Sequence, residues 1–262
     1  MGSKHHKQPR DPDDFQKSVS KLPWGPGSAV LVTVLAFVGS QVLAGLILGG
    51  LLVIFGGSLR DLAGSIASQF YYVVISDALI LLAIWLFLRS RKANPGQLGF
   101  GRRPAWKDLG YALSGYLVYF GLLIVAVVIV GVFFTQIDLQ QRQELGFDAI
   151  LSPSDKVMAL ISLVLLPPIV EEVVFRGFVF TGLRKKLKFI WAAIITSLLF
   201  AGPHLLASSD GLLWIAGIDT LVLSVVLCYL REKTAALWAP IAVHAFKNGI
   251  AFTFLLTGAA AL

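Results

Sequence analysis

Charge is scarce in this chain. Only 14% of its 262 residues are Asp, Glu, Lys or Arg, where a soluble domain carries about a quarter. Hydrophobic residues make up 56%, and the mean hydropathy is +0.79. This shortage excludes a protein whose bulk faces water; the composition fits lipid as solvent. Cysteine is scarcer still: Cys228 stands alone, so no intrachain disulfide can form. No internal repeat is visible, which speaks against transporters built on inverted halves. Nor is a cleavable signal peptide read at the start, because MGSKHHKQPRDPDDFQKSVSKLPWGPGS is polar for too long before the first apolar run.

What the chain does have is apolar runs. Residues 1–28 read as a flexible, mixed-charge tail, with His5 and His6 an exposed pair of no expected role. Residues 29–262 read as a transmembrane domain. Its apolar segments run approximately over 29–55, 69–89, 108–134, 157–182, 189–206, 212–230 and 235–257, each near the ~20 residues that cross ~30 Å of hydrocarbon. A lone span must satisfy its own backbone hydrogen bonds, which a helix does and a strand does not. The expected fold is therefore an all-α polytopic membrane bundle of about seven transmembrane helices. The connector 90–107 reads as a break after the first two spans. The polar segment 135–156, with Asp138, Glu144 and Asp148, reads as a loop or short amphipathic helix on the outer face.

The net charge of +7 does not point to nucleic acid, because the basic residues gather in alternate connectors. Lys4, Lys7, Arg10, Lys17 and Lys21 lie in the tail. Arg91, Lys92, Arg102, Arg103 and Lys107 follow span two, Arg184, Lys185, Lys186 and Lys188 follow span four, and Arg231 and Lys233 follow span six. The intervening connectors hold Arg60, then Arg142, then none. By the positive-inside rule the N-terminus is cytoplasmic and the C-terminus outside. Trp24, Trp106 and Trp238 sit at span edges, where interfacial anchors are expected.

Against this background the stretch PPIVEEVVFRGFVF, residues 167–180, stands out. A charge at that depth costs roughly 2.5–3.5 kcal/mol on insertion scales, and here there are three. Glu172 and Arg176 are four apart, so they share a helix face and can pair. Glu171 is five from Arg176 and points elsewhere. Without a fixed cation, it is the carboxylate available as a general base. Further polar residues follow: His204 in span five, Asp219 in span six, and His244, Lys247 and Asn248 in span seven. His244 and Asn248 are four apart, as are Phe200 and His204, and Gly202-Pro203 is expected to kink span five and open a polar pocket. Phe200 itself reads as packing. Asp219 and Lys247 can pair with each other, or Lys247 can snorkel, and Asp77 in span two has no assigned role.

Depth ties these residues together. Glu171 lies thirteen residues from Arg184, His204 sixteen from Lys188 and His244 eleven from Lys233. At 1.5 Å per residue these are about 20, 24 and 16 Å below the basic edge, a spread that tilt absorbs. Singly, a histidine or asparagine in a span is ordinary interhelical glue; three helices delivering Glu, His and His/Asn to one level is the signature of a site. Glu171 and His204 can hold and deprotonate a water, and His244 with Asn248 can donate to an oxyanion. The set Glu171, His204 and His244 could alternatively hold a divalent metal such as zinc across helices, although no HExxH is present. A proton relay through Glu171, His204 and Asp219 is a transporter reading of the same residues.

EEVVFR is an EExxxR motif, FAGPH an FxxxH motif and HAFKN an HxxxN motif. In this order and separation they resemble the CPBP family of membrane proteases, also called ABI, which includes the CAAX prenyl endopeptidases and bacteriocin-processing or self-immunity proteins. The resemblance covers about residues 157–254, within a catalytic core expected at about 157–257. It implies an intramembrane endopeptidase with catalytic Glu171 and His204, an oxyanion site from His244 and Asn248, and Glu172 and Arg176 in support. It also implies a peptide or protein substrate, lipidated in one branch of the family, and residence in the bilayer, expected here to be the plasma membrane of a prokaryote. No organic cofactor is implied. A non-catalytic immunity or partner protein on the same scaffold is the principal alternative.

Overall fold

A computed structural model describes residues 12–56, 65–139, 141, 150, 152–208 and 211–257. Among them eight helices form and no strand: α1 Pro12–Ser20, α2 Pro26–Ile54, α3 Ile66–Ser90, α4 Trp106–Phe133, α5 Pro153–Arg184, α6 Phe189–Leu205, α7 Trp214–Thr234 and α8 Trp238–Thr257. Six are long and apolar enough to cross a bilayer; α6, with 17 residues, is the shorter one and spans about 26 Å at 1.5 Å per residue. The chain is thus a multi-pass, all-helical membrane protein, with six long helices and a short apolar α6 where seven spans are expected. His5, His6, Lys4, Lys7, Arg10, Arg60, Arg142, Glu144 and Asp148 lie outside the described residues.

The tail is shorter than its composition suggests. Phe15 and Val19, one turn apart on α1, are buried together with Leu22 and Trp24. Phe15 stacks on Phe180 at 6.4 Å, and Trp24 Nε1 donates to Phe178 O at 3.1 Å. Residues 15–24 are therefore docked onto α5 rather than flexible. Phe15 and Val19, on one face of α1, and Leu22 and Trp24, just beyond its end, are buried despite the polar majority around them. Trp24 is accordingly a core residue and not an interfacial anchor. Trp238 is half-buried, with Nε1 bonded to Arg102 O, and Trp106, 90% exposed, is the one of the three with an anchor's exposure.

α5 begins at Pro153, four residues before the apolar run. Ser152 Oγ accepts from Asp155 N, and Asp155 Oδ2 accepts from Ser152 N, a capping box that satisfies two otherwise unpaired N–H groups. The end of the expected outer loop is thus the first turn of α5. This helix is the centre of the fold, packed against α1, α2, α3 and α6 to α8. Gly182 permits the approach of α2: a Cβ there would sit 2.6 Å from Ala29 Cβ. The connector 90–107 that reads as a break is mostly exposed but anchored at Leu98. Leu98 is buried, its carbonyl accepts from Arg231 Nη2, and Arg102 pairs with Asp108. Arg184 and Arg231 are also buried, and Arg184 forks onto Glu232 at 2.6 and 2.9 Å.

Candidate active site

Proline shapes the helix that carries the EEVVFR motif. Pro167 and Pro168 have no N–H, so the carbonyls before them lose their usual donors. The chain responds with two π-helical stretches, Ile161–Leu165 and Glu172–Val179, in which Leu166 N reaches Ile161 O and Phe180 N reaches Phe175 O. The carbonyl of Leu163 is the one neither register can satisfy. Its α-helical donor would be residue 167 and its π-helical donor residue 168, both proline. Asn248 Nδ2 supplies the missing bond at 2.9 Å. Such wide turns inside α-helices are frequent at functional sites.

The second π-helical stretch opens on the paired glutamates, and their environments differ. Glu172 and Arg176 are completely buried, with Nη1 to Oε1 at 2.8 Å. The Arg176 guanidinium also lies 4.5 Å from the Phe200 ring centroid, a cation–π contact. Glu171 keeps 28% of its side-chain surface exposed. The split expected from helical spacing is therefore present: one carboxylate is committed to an internal pair and the other opens outward. His244 from α8 bridges them. Its Nδ1 donates to Glu172 Oε1 at 2.9 Å, and its Nε2 lies 3.6 Å from Glu171 Oε2.

Glu171 and His204 line one cavity of about 370 Å³. His204 Nδ1 lies 3.0 Å from Phe200 O. A carbonyl only accepts, so Nδ1 carries the proton in this bond and Nε2 keeps its lone pair. Phe200 stands at the meeting point: its ring contacts those of Phe175, His204 and His244. His244 and Asn248 do not line the cavity. His244 is buried against the glutamates and Asn248 is turned to Leu163 O. Among the described residues no three His, Cys, Asp or Glu side chains gather as a metal-binding group, so Glu171, His204 and His244 do not fit the metal set considered from the sequence.

Asp219 pairs with Lys247 Nζ at 2.7 Å and accepts from Tyr119 OH. It lies outside the cavity lining, which separates it from the relay of the transporter reading. The other wall of the cavity comes from helices in which sequence reasoning found only Asp77. Thr33, Phe37 and Gln41 of α2, and Tyr72, Ser76, Asp77 and Ile80 of α3, face Glu171 and His204. The available signal was the four-residue spacing of polar groups, Thr33 to Gln41 in two steps and Tyr72 to Ser76 in one. A second cleft of about 390 Å³, between Trp106, Asp108 and Trp238, contains none of the expected catalytic residues.

Residues 153–250 match the family model of Type II CAAX prenyl endopeptidase Rce1-like proteins. The matched stretch contains all three motifs and is the family that those motifs resemble. No curated protein and no solved structure matches the chain.

Proposed function

We propose that this protein is an intramembrane endopeptidase in which Glu171 and His204 activate a water against a peptide carbonyl, and His244 with Asn248 stabilise the oxyanion. The observation that carries the reading is the unequal fate of the two glutamates. Glu172 is sealed onto Arg176, while Glu171 opens into a cavity that it shares with His204. The family match supports CAAX-type endopeptidase chemistry, and about 157–257 is the catalytic core.

In this mechanism the water proton passes to Glu171, with His204 Nε2 as the second acceptor that orients the water. The water oxygen adds to the carbonyl carbon. The oxyanion so formed needs donors placed where charge develops. Asn248 has two N–H groups; one serves Leu163 O and the other remains for this task. His244 gives its Nδ1–H to Glu172, so its donor to the oxyanion would be a protonated Nε2, which lies 3.6 Å from Glu171 and outside the cavity lining of the free protein. Collapse of the tetrahedral species breaks the C–N bond, and the proton held by Glu171 leaves on the amine. The substrate is a peptide or the tail of a membrane protein, with the prenylated CAAX type belonging to one branch of the family. The alternation of basic connectors supports a cytoplasmic N-terminus, and we retain a prokaryotic plasma membrane as the expected location.

The test is incubation of the purified full chain with a library of membrane peptides, in ¹⁸O-labelled water, with and without chelator. Mass spectrometry then compares wild type, Glu171→Gln and His204→Ala. Wild type is expected to give products with ¹⁸O at the new carboxylate, and Glu171→Gln none. Equal products from Glu171→Gln, or none from wild type, would overturn the reading and favour a non-catalytic partner on the same scaffold.

A further inference from the structure

The wall opposite Glu171 is polar and organised. Gln41 Nε2 donates to Ser76 Oγ at 2.7 Å, Tyr72 OH donates to Gln41 Oε1 at 2.6 Å, and Ser40 and Ser76 lie 3.3 Å apart. These groups satisfy one another. Two neighbours on the same wall are left over: the buried Asp77 Oδ2 and the Oγ1 of Thr33, a residue only 5% exposed, make no hydrogen bond. Both residues line the cavity.

Its charge is one-sided. Glu171 and Asp77 both line it, and no lysine or arginine does. Arg176 is paired with Glu172 and Lys247 with Asp219, and neither lines the cavity. A carboxylate held away from water without a cation is unfavourable and calls for a partner. Phe37, Val73 and Ile80 line the same space, an apolar track suited to the methylene stem of a long basic side chain.

We propose that Asp77 and Thr33 form a subsite for a cationic side chain, so that the peptides cut here carry a lysine or arginine close to the scissile bond. This rests on the endopeptidase reading for its catalytic consequence, though binding can be measured without it. The wall comes from residues 33–80, outside the family match at 153–250.

The experiment uses the full chain in lipid vesicles and peptides in which lysine or methionine is walked through the positions flanking a mapped cleavage site. Wild type is expected to favour one lysine peptide over its methionine twin by about tenfold or more in kcat/KM, through KM. In Asp77→Asn the ratio should fall to within about threefold, and in Asp77→Glu it should return. No lysine preference in wild type, an unchanged ratio in Asp77→Asn, or an equal fall in kcat for both twins would overturn the subsite. Binding of fluorescent versions of the same peptides to Glu171→Gln and Glu171→Gln/Asp77→Asn separates the two readings. Lysine-selective binding that depends on Asp77, in a protein that cuts nothing, leaves the subsite standing without the protease. Cleavage without selectivity does the reverse.

Discussion

Two parts of the chain face each other across one cavity and are built on different plans. The α5–α8 block places charge in the interior and surrounds it: the most apolar windows of α5 and α7 are 44% and 50% buried. The α2–α3 pair, at 22% in each window, leaves most of its surface for lipid and turns a strip of mostly neutral polar residues inward. The difference teaches what each kind of group demands. A buried ion pair needs its partner at hand: Glu172 and Arg176 meet at 2.8 Å, and removing either would leave the other charge uncompensated. Neutral hydroxyls and amides need only one another, so a single helix pair suffices.

The comparison is most exposed at the adjacent glutamates. On the proposed mechanism Glu171→Gln removes the general base and is expected to lower turnover by about 10²–10⁴-fold, with the thermal midpoint in detergent unchanged. Glu172→Gln leaves Arg176 buried without its counter-charge and is expected to cost about 3–5 kcal/mol of stability. Thermal unfolding and turnover measured on both variants check this. If the two substitutions have the same profile, the division between a working and a structural carboxylate is wrong.

A smaller effect tests the proline account. Asn248→Ala leaves the part-buried Leu163 O without a donor, expected to cost about 1–3 kcal/mol. Pro167→Ala restores a backbone N–H to that carbonyl. In the Pro167→Ala background the cost of Asn248→Ala should therefore shrink, with a coupling of about 1 kcal/mol in the double-mutant cycle. Additive costs would mean that Asn248 is there for another reason. The joint between the two regions can be probed in the same range: Gly182→Ala brings a methyl to 2.6 Å from Ala29 Cβ. It should cost about 1–3 kcal/mol by overpacking, read as a lowered thermal midpoint.

How much of this was legible depended on what each residue costs. Glu172–Arg176 could be read because a charge inside a span has few reasons to be there and helical spacing limits its partners; Lys247–Asp219, on different helices, was one of two readings of those residues. The three motifs were legible for the same reason, and with them the identity of the 153–250 block. Hydropathy also located the long helices, within a few residues at their ends. It missed the docking of residues 15–24, because Phe15, Val19, Leu22 and Trp24 are diluted among polar neighbours. It also missed the destination of Asn248. Spacing puts Asn248 beside His244, but the orphaned Leu163 carbonyl becomes visible only when the two prolines are followed into the backbone hydrogen bonds. The Thr33–Gln41–Tyr72–Ser76 wall was the least legible part, since neutral polar residues are common in spans and carry little signal singly.

That wall supplies the smallest expected effect, and it decides whether the contrast between the two regions holds. Gln41→Leu removes the acceptor of Tyr72 OH and the donor to Ser76 Oγ. Interhelical hydrogen bonds of neutral groups in a bilayer average about 0.6 kcal/mol and reach about 1.7, because the groups released find other partners. Ser76 still has Ser40 within reach at 3.3 Å, and a leucine of similar size fills the space between α2 and α3. The variant should therefore unfold within about 1–2 kcal/mol of wild type, while changing how the cavity holds a substrate. A loss as large as that expected for Glu172→Gln would show that α2 and α3 are held by their polar contacts as firmly as α5 is held by its ion pair. The two halves would then be one cooperative core, and the wall could not be tuned for substrate independently of the fold.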